Sequence, residues 1–239
     1  MARRYDDPVT LSEHALDVLT ELRPQSYGMA RPDRIDNPII EPMWAGIRAL
    51  AAIEGPLVAL RDETGEPVEE RPEVSQALAA ALRARAAIVD GYLTKEAVRS
   101  DGELLSTVEL PTANTIVQKM FFGIRRDRQK EMEEERARLR EAATFREEEI
   151  VAFVATDLLW LDGESVLGVP LLERKRLLDG ILVESELVRI GAFVRPPVAT
   201  WVTSWRRLGF VELSYRAANS RYHPGEQREE WTTARMPRR

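Results

Sequence analysis

The sequence has no cysteine, which excludes disulfides, thiol nucleophiles and thiolate-bound zinc. Its two histidines, His14 and His223, lie too far apart in the chain to suggest a metal centre. Lysine is scarce. Lys95, Lys119, Lys130 and Lys175 are the only four in 239 residues, and arginine supplies nearly all the positive charge. Arginine is the better fork for phosphate, but it is not a usable nucleophile. There is no Gly-rich phosphate loop. No apolar run reaches membrane-spanning length, and no apolar signal core follows the first residues, so the expectation is a soluble cytoplasmic protein. A formal net charge of −6 argues against a globally basic nucleic-acid binder but leaves room for a local basic face.

What is present suits a globular core, with 44% hydrophobic residues. Thr10-Leu11-Ser12-Glu13 reads as a capping box opening a helix to about Leu22, with Leu11, Ala15, Val18, Leu19 and Leu22 on one face. His14, in its first turn, reads as solvated or partner-facing. Residues 23–40 carry Pro24, Gly28, Pro32 and Pro38 and predict an extended connector. Trp44–Ala52 suits a buried strand, Glu54-Gly55-Pro56 a turn and Val58–Leu60 a returning strand. Pro72 opens a helix. Ala86–Leu93 reads as a buried strand that turns at Asp90-Gly91.

The segment 96–149 ends in an almost continuous charge run from Arg125, which predicts a solvated helix or a partly disordered insertion. Residues 150–155 form a strand, and Pro170 precedes a helix carrying Leu171, Arg174, Lys175 and Leu178. Leu187–Ile190 and Phe193-Val194 suggest a further strand. Trp201, Trp205 and Leu208, at i, i+4 and i+7, read as core anchors of a helix stopped by Gly209. Phe210–Tyr215 and Trp231–Met236 are strands. Helices and strands mix without strict alternation, which points to α+β.

Several stretches together resemble the adenylation domain of the ATP-dependent DNA ligases. Glu41-Pro42-Met43-Trp44-Ala45-Gly46-Ile47-Arg48 is similar to that family's first signature, in which a lysine takes AMP from ATP. Glu41, Gly46 and Arg48 keep their places, but Met43 stands at the lysine and Ala45 at the aspartate. A thioether cannot form a phosphoramidate. Asp90-Gly91-Tyr92 resembles the Asp-Gly-Glu strand, with Tyr92 at the glutamate. Thr156-Asp157-Leu158-Leu159 resembles Phe-Asp-Leu-Leu, with Thr156 at the aromatic that stacks on adenine. Gly209–Arg216 aligns with Glu-Gly-Val-Val-Ala-Lys, putting Val211 at the glutamate and Arg216 at the lysine. Trp231–Arg235 matches the last signature, with Thr233 and Arg235 at its two lysines.

The resemblance implies a ligase-type nucleotidyltransferase fold, antiparallel sheets with flanking helices, over residues 38–239. Residues 1–37 then form an N-terminal helix and connector, and residues 97–148 an inserted charged segment. In the family the pocket binds ATP and Mg²⁺, and the matched positions here are Glu41, Met43, Arg48, Tyr92, Thr156, Arg216 and Arg235. The substitutions remove carboxylates and lysines while keeping structural residues and arginines. They imply a catalytically inactive ligase-like domain that binds nucleotide or nucleic-acid ends, or scaffolds DNA repair. Arg48, Arg216, Arg221 and Arg235 would then serve as phosphate contacts. The implied partners are nicked or broken DNA and repair proteins. An active enzyme with a displaced nucleophile, Lys95 or Lys119, is the alternative. A pure protein-interaction module with a filled pocket is a third reading.

Overall fold

The computed structural model describes residues 14–69, 71–95, 144–146 and 149–236. The whole of the expected capping box, residues 10–13, and nearly all of the charged segment lie outside them. In chain order the elements are α1 (Ala15–Glu21), β1 (Ser26–Tyr27), β2 (Pro38–Pro42), β3 (Ile47–Glu54), β4 (Leu57–Asp62), α2 (Pro72–Ala81) and β5 (Ala86–Thr94). They continue with β6 (Ala152–Leu161), β7 (Glu164–Ser165), α3 (Leu171–Ile181), β8 (Val188–Ile190), α4 (Ala199–Arg207), β9 (Glu212–Ala217), β10 (Gln227–Arg228) and β11 (Trp231–Arg235). The fold is α+β, as the sequence implied.

The larger sheet runs β4-β3-β5-β6-β7, with β8 added parallel to β6. On one face α2 and α3 cover it through Val74, Leu78 and Leu178, which pack on Ile53, Val89 and Phe153. The other face receives α1, whose Ala15, Val18 and Leu19 pack with Leu50, Ile88 and Trp160. The smaller sheet is antiparallel, ordered β11-β9-β2. Period-2 alternation splits its side chains. Ile40, Leu213 and Tyr215 join Val202 and Trp205 of α4 in one apolar cluster. Glu41, Ser214 and Arg216 therefore face the larger sheet.

Four sequence expectations are corrected. β5 does not turn at Asp90-Gly91. It runs unbroken through both residues, with register shifts against β6 between Ile88 and Val89 and between Asp90 and Gly91. Gly91 is needed for close approach, since a Cβ there would strike the Val154 carbonyl and the Phe153 ring. β6 extends to Leu161 rather than ending near residue 155, because Asp157 finds buried cationic partners. β3 begins at Ile47, three residues later than expected from Trp44. Gly46, at φ +151°, ends a loop where any Cβ would collide with the Leu93 carbonyl. Phe193-Val194 forms only an isolated bridge from Val194 to Ile40. The connector 23–40 is extended but contributes β1, which pairs parallel with β10, and most of β2.

Candidate functional site

The two sheets meet over a buried group of ionised side chains. Glu41, on β2, accepts from Arg216 of β9 through Nε at 2.9 Å and also through Nη2. Its other oxygen takes the Lys175 ammonium at 2.5 Å. Lys175 also donates to the Thr156 carbonyl at 2.8 Å, and Arg216 to the same carbonyl at 3.1 Å. Asp157 holds Arg174 through two bonds, 2.8 and 2.9 Å, and Arg216 at 3.2 Å. Arg174 and Asp157 are wholly buried, and none of the five is more than 4% exposed. The cluster thus joins β2, β6, β9 and α3, with three cations against two carboxylates.

Its electrostatics follow from burial and neighbours. Burial favours a protonated Asp157, but Arg174, Arg216 and Lys175 outweigh it and lower the carboxyl below its ordinary range. Burial opposes the charge on Arg216, yet Glu41 and Asp157 raise its pKa. For Lys175 burial dominates and Arg216 adds to it, so its pKa falls below that of a free lysine despite Glu41.

A second knot lies within the larger sheet. Arg48 grips Asp90 through two bonds, at 3.1 and 2.7 Å, and donates to the Gln25 carbonyl at 2.9 Å. The Tyr222 hydroxyl donates to the same carboxylate at 2.7 Å. Burial works against the Arg48 charge, but Asp90, with Tyr92 and Tyr222, holds its pKa well above ordinary. Tyr27 connects the two knots. Its ring lies 5.5 Å from the Arg48 guanidinium and 5.9 Å from Trp231, and Trp231 carries Arg216 at 4.8 Å. Tyr92, buried beside Arg48, hydrogen-bonds to Tyr27, and burial raises its pKa far above that of a free phenol.

Of the residues singled out from sequence, the fold brings Glu41, Thr156 and Arg216 together. Arg48 and Tyr92 face each other across β3 and β5. Met43 is half-buried in the loop before β3, and its amide donates to the Glu212 carbonyl at 3.0 Å. Arg235 is exposed at the end of β11, opposite Glu212 in register, and Arg221 is exposed. Lys175, Asp157, Arg174 and Tyr27 were not expected at the site. The signal for Arg174 and Lys175 was there, since both share the spacing of the buried Leu171 and Leu178, so two cations lie on an apolar helix face. Away from the cluster, at the far end of β3 and β5, a cleft of about 490 Å³ is lined by His14, Glu54, Arg85, Trp160 and Asp162. Two of its three carboxylates are engaged locally, Glu54 by His14 and Asp162 by the Arg85 and Ala86 amides; the third is the exposed Glu164.

No family model matches the chain, and no curated protein matches it in sequence. Solved structures do. The ligase domain of LigD from M. tuberculosis superposes with a TM-score of 0.58 at 20% identity, covering 90% of this chain and 60% of that one. A mycobacterial DNA ligase D complexed with ATP and MES gives 0.57, also at 20% identity and with the same coverage. A Lig E DNA ligase, whose structure is described as DNA binding with a minimal scaffold, gives 0.50 at 12% identity over 89% of this chain and 68% of that one. The chain therefore has the ligase-type α+β fold and spans about 60% of the length of the DNA ligase D structures it matches.

Proposed function

We propose that this chain is a ligase-fold domain that does not carry out adenylyl transfer and acts as a non-catalytic scaffold at nucleic-acid ends. The observation that carries this reading is the Glu41–Lys175–Arg216–Asp157–Arg174 cluster. Groups at the positions matched to a nucleotide pocket are spent on one another. Both edges of the Arg216 guanidinium are occupied by Glu41 and Asp157, and Lys175 lies between Glu41 and Thr156. A phosphate would have to compete with these buried ion pairs for each cation of the cluster.

The residues present do not fit ATP with Mg²⁺. Met43 offers no nucleophilic amine, and Tyr92 and Val211 offer no carboxylate. Glu41, Asp90 and Asp157 are already committed to cations. Among the described residues no group of three or more His, Asp or Glu side chains is placed to hold a metal ion. The DNA binding named for the Lig E neighbour supports nucleic acid as the class of partner, and we narrow this to DNA ends and repair complexes. In this reading residues 38–239 are the ligase-like unit and residues 1–37 its N-terminal addition.

The test is incubation with α-labelled ATP and Mg²⁺ or Mn²⁺, then a denaturing gel. No labelled band is expected, from the natural chain or from Met43→Lys. A band that survives denaturation overturns the reading. The displaced-nucleophile alternative has one observation in its favour. Lys95 directly follows β5 at the end where Gly46 meets Leu93, although its ammonium is held by Glu149 at 3.1 Å. Peptide mapping of a labelled product would decide between Lys95, Lys119 and Lys175.

A further inference from the structure

The back of the smaller sheet differs in character from its front. The segment behind it, residues 191–211, has three arginines (Arg195, Arg206 and Arg207) and no acidic residue, in a chain whose acids outnumber its bases. Three exposed arginines elsewhere sit on carboxylates, Arg31 on Asp33, Arg176 on Glu173 and Arg228 on Glu226. Here Arg195 is exposed and bonds only the side-chain oxygen of Asn37. Arg207 is exposed and has no carboxylate partner among the described residues. Arg195 and Arg207 are thus surface guanidiniums without a carboxylate.

An aromatic plane lies among them. The two tryptophans of α4, read from sequence as equal core anchors, have separate roles. Trp205 is buried at 4% in the cluster behind β2 and β9, while Trp201 is 50% exposed. Trp205 backs Trp201 at a centroid distance of 6.1 Å, so the exposed indole rests on a fixed support. Arg195 precedes the helix and Arg207 is its last residue, on either side of Trp201 in a helix about 13 Å long.

We infer that α4 and the segment leading into it are a docking platform for single-stranded nucleic acid, with one base stacked on Trp201 and phosphates held by Arg195 and Arg207. An exposed indole can take any unpaired base, whereas a duplex hides its base faces. Guanidiniums without carboxylate partners supply the charge complementarity. This deepens the scaffold reading by naming the partner as a single strand and by placing it on the sheet face opposite the ion cluster. A labelled AMP adduct would overturn the non-catalytic reading and leave this inference standing.

The test uses the full chain and a thymidine oligonucleotide of about 16 nucleotides. Binding is followed by fluorescence anisotropy and by quenching of tryptophan emission at low salt. The oligonucleotide should bind and quench. Trp201→Ala should remove most of the quench and weaken binding roughly tenfold or more, with Trp201→Phe recovering most of the affinity. Arg195→Ala combined with Arg207→Ala should flatten the logarithmic salt slope by about 1.4, two single-strand phosphates at about 0.7 each. The paired surface arginines serve as the control, so Arg31→Ala with Arg176→Ala should leave binding unchanged. The inference fails if the chain does not bind, if Trp201→Ala binds as tightly as the natural chain, or if duplex binds equally well without regard to Trp201. Should Trp201→Ala not fold, the Trp201→Phe and double-arginine variants still decide the question.

Discussion

Arg48 and Arg216 are both buried arginines held by carboxylates, but they are held in different ways. Arg48 belongs to a closed pair. One guanidinium meets one carboxylate through two bonds within a single sheet, and the spare donors and acceptors go to Gln25 and Tyr222. Arg216 belongs to an open cluster in which three cations share two carboxylates, drawn from both sheets and from α3. A closed pair needs nothing further. An open cluster carries one cation more than its carboxylates require.

The sharpest way to break this contrast is to remove one shared carboxylate from each. Asp157→Ala strips Arg174 of its carboxylate and Arg216 of one of its two, and should cost about 3–5 kcal/mol in urea unfolding. Asp90→Ala should cost less, because Arg48 keeps the Gln25 carbonyl and lies 3.7 Å from the exposed Glu63. Equal losses would mean that the cluster is no more shared than the pair.

Charge counting gives a subtler result for Lys175. Lys175→Met leaves two cations on two carboxylates and puts a side chain of similar length on the apolar face of α3. Its stability should stay within about 1 kcal/mol of the natural chain. A loss as large as that of Asp157→Ala would show that Lys175 is required by Glu41 rather than surplus to it.

The pH dependence should differ between the two limbs, and it is the smallest effect. The lowered pKa of Asp157 gives stability that is present above the ordinary carboxylate range, about 4, and lost as pH falls through the folded value. The lowered pKa of Lys175 works the other way. At neutral pH the folded state pays to keep this lysine charged, and the penalty is relieved as pH rises through its folded value toward that of a free lysine, about 10.4. Difference melts of the natural chain against Lys175→Met should therefore narrow with rising alkaline pH. A widening gap would refute the sign.

Much of the frame was legible before the structure. Pro72 marked the start of α2, Gly55 the β3–β4 turn, and Pro170 the start of α3. The misreadings share a cause. Asp90-Gly91 looked like a turn and Thr156-Asp157 like a strand end, because an acid inside an apolar run is unfavourable without a partner. Those partners, Arg48 for Asp90 and Arg174 with Arg216 for Asp157, lie from 17 to 59 positions away, beyond any local pattern. The cluster was half legible for the same reason. Glu41, Thr156 and Arg216 came from the resemblance, whereas Lys175 and Tyr27 became site residues only when α3 and β1 were folded against them.

The pairing of β2 with β9 bears on how this chain is made. Ile39 lies opposite Arg216 and Ser26 beside Gln227, so β2 and β1 pair with strands that follow them by well over half of the sequence. On the ribosome, β3, β4 and β5 can pair as soon as they emerge, but β2 must wait, with Glu41 exposed to water and uncommitted. The join between the sheets forms only once β9, with Arg216, has cleared the exit tunnel. Closure is thus a late, long-range event, which makes for slow folding.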